Sequence, residues 1–291
     1  MLNHYFKFFI RNFIRQKGFS IINVTGLSIG MAVSILILLY VFHEISYDRF
    51  LSNADNKYSV NILMEYPGGR FEADRSCGEL VPVSLAQFPE VVNAVSLYHD
   101  SPLVRYGDKV FTENGTDMCF AQETVFDFFN LEIVAGNSEV VFAEPFSVAI
   151  SRKKAEKYFG DEDPIGRIFL FNDEYQMKVT AVFEDYPDNS HLKFGMISPI
   201  EAFLEIEGLN DLTEYGNSAL TYLELADEAD QDALCRKLEE ATYSFVPAKL
   251  KEQMSITITH FLNPVKRIHL FVDFGNFGDE AGPGRIMYVY I

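Results

Sequence analysis

Basic residues are scarce in this chain. Its 291 residues hold 42 Asp and Glu against 24 Lys and Arg, a formal net charge of −18. Four of those cations, Lys7, Arg11, Arg15 and Lys17, precede the first acid, so the remainder sets 20 cations against all 42 acids. Such a surface repels phosphates and excludes a nucleic-acid partner, whose affinity rests on neutralising backbone charge. No Gly-Lys pair occurs anywhere. A phosphate loop of the form G-x-x-x-x-G-K-[ST] is therefore absent, and any ATP hydrolysis belongs to a partner. Cysteine is rare: Cys77, Cys119 and Cys235 are an odd set without a C-x-x-C or a metal spacing, which limits an oxidising compartment to one disulfide. Cys235, beside Leu234 and Leu238, reads as a small buried hydrophobe. No internal repeat, low-complexity tract, metal cluster or cofactor motif is present.

One absence is local. From Gly18 to Phe42 there is no Asp, Glu, Lys, Arg or His over 25 residues. Residues 19–42 make a helix of about 36 Å, enough to cross a hydrocarbon core with modest tilt. Within it, Gly26-Leu27-Ser28-Ile29-Gly30 fits both the G-x-S-x-G elbow of serine hydrolases and the G-x-x-x-G face of packed membrane helices. The elbow needs a strand before the serine, with an acid and a histidine later. A charge-free apolar helix supplies neither setting, so Gly26, Gly30 and Ser34 are expected to form a small-residue packing stripe. Lys7, Arg11, Arg15 and Lys17 before the span place its N-terminus in the cytoplasm and the acidic remainder outside. "LYVFHEISYDRF" offers no small-x-small cleavage site, which favours an uncleaved anchor over a signal peptide. "HEISY" lacks the second histidine of H-E-x-x-H.

Ahead of the span, Leu2, Tyr5, Phe6, Phe9, Ile10, Phe13 and Ile14 recur at helical spacing, with Lys7, Arg11 and Arg15 on another face. Residues 1–17 read as an amphipathic interfacial helix against membrane lipid, the alternative role of its cations being topogenic only. Beyond the span the pattern is mixed α/β. "KYSVNILMEY" runs as a strand to the turn Pro67-Gly68-Gly69, Val81, Leu85 and Phe88 mark a short helix, and "NAVSLYH" alternates again. "SALTYLEL", a helix over 229–245 and "SITITHF" make a second such unit. Two β-α-β units around a long insertion predict a split, ferredoxin-like layer. The insertion, near 106–191, carries a hairpin expected at Asn114-Gly115, a strand "FSVAI", a helix capped by Ser151 and stopped at Gly160, and strands at "RIFLF" and "QMKVTAVF".

Other motifs resolve to plain readings. "DEDP" and "EDYPDNSH" gather carboxylates without the ligand spacing of a calcium loop and read as turns. Arg152, Lys153, Lys154 and Lys157 read as a solvated helix face. Asn114-Gly115-Thr116 matches a glycosylation acceptor but is assigned to the turn. The closing "IMYVYI" reads either as an edge strand or as the opening of a second span.

Taken in order, "GLSIGMA", "SYDRFLSNADNKYSV", "ETVFDFF", "FSVAISRKKAEKYFGDEDPIGR", "VTAVFEDYPDNSH" and "RIHL" resemble the MacB-like, or FtsX-like, ABC transporter permeases. The resemblance implies an α+β extracytoplasmic domain anchored by one N-terminal transmembrane helix. It divides the chain into an interfacial helix 1–17, a span 19–42, a porter-like subdomain of 47–105 and 192–285, an inserted second subdomain 106–191, and the start of a second span 286–291. Three later spans and the loop that grips the ATPase would lie outside these residues. It further implies a permease subunit of an exporter or mechanotransmission complex in the bacterial inner membrane. Its partners would be a cytoplasmic ABC ATPase, a second permease chain in a homo- or heterodimer, and a periplasmic adaptor. No enzyme activity and no cofactor are implied. The competing reading is a single-pass anchored binding or sensor module.

Overall fold

The computed structural model describes residues 11, 15–113, 117–138, 140–214, 216–246 and 256–271. Two units divide the chain, Met1–Ser46 and Tyr47–Ile291.

The described part of the first unit is dominated by the helix α1 (Lys17–Ile45). It is the one helix among the described residues long and apolar enough to cross a membrane, with a mean hydropathy of 2.3 over its most apolar window. Twenty-nine residues at helical rise span about 43 Å. Apolar side chains such as Phe19, Leu27, Leu36 and Phe42 are exposed on every side of it, as expected of a helix whose solvent is lipid. Ser28 lies inside this unbroken helix, so the strand-to-helix elbow of a hydrolase is not formed.

Among the described residues, the second unit is one sheet of thirteen strands with helices against it. Its ordered path is β13-β1-β12-β3-β6-β11-β8-β10-β9-β4-β5, with β2 (Gly69–Ala73) on β1 and β7 on β10. The first βαβ unit is β1 (Lys57–Tyr66), α2 (Leu80–Gln87) and β3 (Val91–Asp100). The second is β12 (Leu220–Leu225), α6 (Gln231–Phe245) and β13 (Thr257–Pro264). Neighbouring strands in the order β13, β1, β12, β3 are antiparallel, which is the split βαβ layer the sequence pattern predicts. Strand alternation sorts its side chains. Val60, Leu223 and Leu225 face α2 and α6, meeting Leu80, Leu234 and Leu238. Tyr222, the residue before Leu223, turns to the opposite face and a second core with Phe128 and Phe129. Asp230 caps α6 by accepting from Ala233 N at 3.0 Å.

Between the two βαβ units lie β4 (Leu103–Tyr106), β5 (Lys109–Thr112), β6 (Met118–Ala121), α3 (Val125–Phe128), β7 (Ile133–Gly136), β8 (Ser147–Ser151), α4 (Arg152–Phe159), β9 (Ile168–Phe171), β10 (Tyr175–Phe183), β11 (Met196–Pro199) and α5 (Ile200–Glu207). The sheet passes into this segment without a break, because β6 pairs β3 from Leu97↔Ala121 to Asp100↔Met118. The pairings β8·β10 and β6·β11 are parallel, and the rest are antiparallel. A third core gathers Phe120, Tyr158, Phe169, Phe171 and Phe203 here. The helix α4 starts on Ser151, whose Oγ accepts from Lys154 N, and stops at Gly160, φ +64°.

Two expectations for this segment are corrected. Residues 114–116 lie outside the described residues, but β5 and β6 are not partners. The hairpin sits one strand earlier, β4 on β5 with Tyr106↔Lys109, closed by Gly107 at φ +57°. Glycine at the first of two central positions is what a tight hairpin of this length requires. The second correction concerns the basic face of α4. Lys154 is buried, reaching the equally buried Glu113 and lying 3.2 Å from Asp117 Oδ2. Lys157 Nζ adds a 2.6 Å contact to Glu113 Oε1, and Tyr158 donates to the same oxygen at 2.6 Å. Burial alone would raise the Glu113 carboxyl, yet the bonds from Lys154, Lys157 and Tyr158 hold it below its ordinary value.

The remaining motifs behave as turns. Asp163 Oδ1 accepts from Ile165 N, and Glu162 pairs with Arg167. Glu184 pairs with Arg152, and Asp185 accepts from Lys153 N. All three cysteines are free thiols. Burial pushes Cys77 and Cys235 up to about 11, and Cys119 higher still.

Candidate functional site

The eleven residues from Tyr47 to Lys57 follow the apolar helix in sequence and enter the second unit as a wedge. Leu51 and Ala54 are buried in the core that holds Phe128, Phe129 and Tyr222. The polar residues of the wedge reach several elements of the unit. Ser52 N and Oγ donate to Asn130 Oδ1, just beyond α3, at 2.9 and 3.1 Å. Asn53 donates to Glu224 on β12 at 2.8 Å, and Asn56 to Asp227 at 2.7 Å. Asp55 takes Lys266 of α7 (Val265–Phe271) at 2.5 Å, and Tyr47 stacks on His269 of that helix, centroids 3.4 Å apart.

Asp48 is the centre. It is fully buried and holds φ +57°, a left-handed conformation that Asp tolerates better than most residues. That turn aims its backbone N at Asn189 O, 3.0 Å away, and its carboxylate at the loop beyond. Oδ1 accepts from Ser190 Oγ at 2.8 Å and from His191 N at 3.2 Å. His191 Nδ1 stands 2.9 Å from Asp48 Oδ2 without making a hydrogen bond. The other ring nitrogen meets Tyr222 Oη at 2.9 Å. Burial first, and then Asp74 and Asp48, push the Tyr222 phenol far above its ordinary value. Tyr186, packed edge-on to Phe50, is raised by burial and by Asp48.

An acid, an imidazole and a phenol in line could relay protons, but Asp48 and Tyr222 are 0% and 3% exposed. Nothing outside can reach them, and the arrangement holds position instead of performing chemistry. Lys57 closes the wedge. Its ammonium is buried, donates to Phe128 O at 2.5 Å, sits over the Phe128 ring and lies 3.7 Å from Glu224. Burial lowers its pKa, and Glu224 partly offsets that.

The residues singled out from sequence lie elsewhere. Gly26, Gly30 and Ser34 fall on one side of α1, and Ser34 Oγ donates to Gly30 O at 2.9 Å. A Cβ at either glycine would meet nothing within 4 Å. Arg11, Arg15 and Lys17 are exposed, while Lys7 and the run 286–291 lie outside the described residues. Asp48, Lys57 and His191 match no local motif, although each lies in a stretch that resembles the family. Their signal was polarity at positions where the sequence otherwise buries apolar groups.

Residues 20–241 match the family described as MacB-like periplasmic core domain. Among solved structures, a domain of a protein described as a permease from Porphyromonas gingivalis aligns over 84% of this chain and 100% of its own, at 19% identity and a TM-score of 0.64. The periplasmic region of MacB from Actinobacillus actinomycetemcomitans covers 70% of this chain and 88% of its own, at 17% identity and a TM-score of 0.47. The extracellular domain of the ABC-type transporter YknZ from Gram-positive bacteria covers 69% and 99%, at 15% and 0.49. The likeness in fold rests on the first of these. No curated protein matches the chain.

Proposed function

Because the chain belongs to the family of MacB-like periplasmic core domains, we propose that it is the anchored extracytoplasmic part of an ABC-type permease, driven by a separate cytoplasmic ATPase. In this reading the N-terminus is cytoplasmic, α1 crosses the membrane, and Lys7, Arg11, Arg15 and Lys17 sit at its inner interface. Gly26, Gly30 and Ser34 pack α1 against another helix. The segments 47–105 and 192–285 act as a porter-like subdomain and 106–191 as a second one, and together they move to export or release a substrate.

The observation that carries the reading is the wedge of residues 47–57. A chain that enters a domain through buried bonds to a loop and to α3, flanked by exposed contacts to β12 and α7, cannot be displaced without displacing the buried partners, since packed interiors transmit strain. The alternative of a passive anchored binding module needs no such entry.

The test uses the tagged permease in native membranes, with a fluorophore on a cysteine introduced at exposed Glu65. An ATPase should co-purify, ATP should shift the emission, and Asp48→Ala with His191→Ala should abolish the shift while leaving co-purification intact. Failure to retain an ATPase, or a shift that survives the double substitution, overturns the proposal.

A further inference from the structure

Between α2 and α5 the domain carries an open groove of about 310 Å³. Val81, Leu85, Ile200, Leu204 and Leu212 line it, and Leu85 remains 42% exposed. Its charged rim has one sign, from Glu79 and Asp211. Neither pairs with a cation among the described residues, and Asp211 accepts from Thr213 instead. Burial and the neighbouring Asp211 hold Glu79 above the usual carboxylate range.

The anionic rim runs on past the groove. From Phe194 to Cys235 the sequence has no Lys, Arg or His over 42 residues, while α5 and the loop after it carry Glu201, Glu205, Glu207, Asp211 and Glu214. The three α5 carboxylates are exposed and meet no cation among the described residues. Elsewhere on the domain the balance is different, with Glu184 on Arg152, Asp173 on Arg105 and Glu90 on Lys237. An apolar patch rimmed by unanswered carboxylates is complementary to aliphatic groups flanked by cations. The carboxylates extend along the whole of α5, about 12 Å, farther than a compact ligand in so open a groove would reach. That length selects an extended partner.

We propose that this groove docks a basic amphipathic segment of a partner polypeptide, seating an aliphatic side chain between α2 and α5 and its Lys or Arg residues on the α5 rim. The proposal is independent of the wedge: a groove that binds nothing leaves the coupling reading standing.

The experiment uses the full chain in phosphatidylcholine nanodiscs and a fluorescent Leu/Lys amphipathic peptide of about 18 residues, long enough to hold a helix, with empty discs subtracted. Anisotropy should show saturable binding that weakens with salt. Glu205→Lys with Asp211→Lys should weaken it about tenfold, and Leu85→Ser should weaken it as well. Glu65→Lys with Glu156→Lys, the same charge change elsewhere, should leave it within about twofold. The proposal is overturned by equal loss in the remote pair, by unchanged binding in the groove variants, by equal binding of a peptide with serine in place of leucine, or by no signal above empty discs.

Discussion

Asp48 and His191 stand 143 residues apart in the chain, yet the carboxylate of one lies 2.9 Å from the imidazole of the other and accepts its backbone N–H. The contact joins the first turn after α1 to the loop that leads into β11. It makes the entry of the chain part of the core and not a tether beside it.

Replacing Asp48 should therefore cost more than an ordinary surface change. Asp48→Ala strips Ser190 and His191 of their acceptor and leaves a non-Gly residue at φ +57°. The loss should be about 3 kcal/mol, combining unsatisfied buried donors with backbone strain. Asp48→Asn keeps the conformation and one acceptor and should cost about half as much. Denaturant unfolding of the purified chain, followed by tyrosine fluorescence, checks the order. Equal losses would mean that the charge, not the hydrogen bonds and the turn, carries the effect.

Acid should weaken the domain before its carboxylates titrate. His99 and His260 are held at about 4, each by burial first, with Arg75 adding to the effect on His99. His99 Nε2 and His260 Nδ1 have no hydrogen-bond partner in the structure. A histidine lowered on folding takes up its proton in the unfolded chain first. Stability is then full above the unfolded value near pH 6.5 and falls with pH until about 4, where both states are protonated. Each histidine should contribute up to about 3 kcal/mol of this loss. Glu113, whose carboxyl is lowered, adds its loss only at more acid pH, and Asp74, raised by burial, works in the opposite sense. Between pH 6.5 and 4 the slope should approach two protons, and His99→Gln should remove about half of it. A flat profile in the wild-type protein would contradict the burial of both rings.

The split βαβ layer was legible because its strands alternate over six residues or more and its helix α6 shows Leu234 and Leu238 at i and i+4. The extension of that sheet through Leu97↔Ala121 was not, since pairing between distant short strands leaves no local period. Lys154 misled for a related reason. Four cations in six positions make a basic helix face by any local pattern, and the acid that buries one of them is 41 residues upstream. The wedge was half legible: its polar residues stand together in one stretch, but their partners lie on β12, α7 and the 189–191 loop, which only the tertiary fold assembles.

The Glu113 cluster gives a third expectation. Glu113→Ala leaves the Lys154 ammonium buried beside Asp117 alone, and breaking a buried pair on one side costs about 3 kcal/mol. Removing the charge from both sides with Glu113→Leu and Lys154→Met should recover most of that loss. Thermal unfolding of the two variants beside the parent decides it. A double variant no better than the single one would show that the cluster's hydrogen bonds to Lys157 and Tyr158, not the isolated charge, hold the hairpin segment to α4.

The last expectation concerns α1. Within the described residues, a Cβ at Gly30 meets nothing within 4 Å beyond its own helix backbone, so Gly30→Leu should leave the fold of residues 47–271 unchanged. In helical terms it is mildly favourable, since glycine costs up to about 1 kcal/mol in a helix interior. Any defect it causes must then come from outside this chain's own packing, where the proposed second helix would meet the stripe of Gly26, Gly30 and Ser34. Small residues permit that approach because lipid offers no hydrophobic drive for helices to associate, and close van der Waals contact has to supply it. Ser28 stands two residues from both glycines, on the far side of the helix, and Ser28→Leu is the matched control for added bulk. Energy transfer between labelled full-length chains in lipid discs should fall with Gly30→Leu and hold with Ser28→Leu, with the circular dichroism of both unchanged. If both variants associate as the parent does, the stripe is not a packing face and the helix serves as an anchor alone.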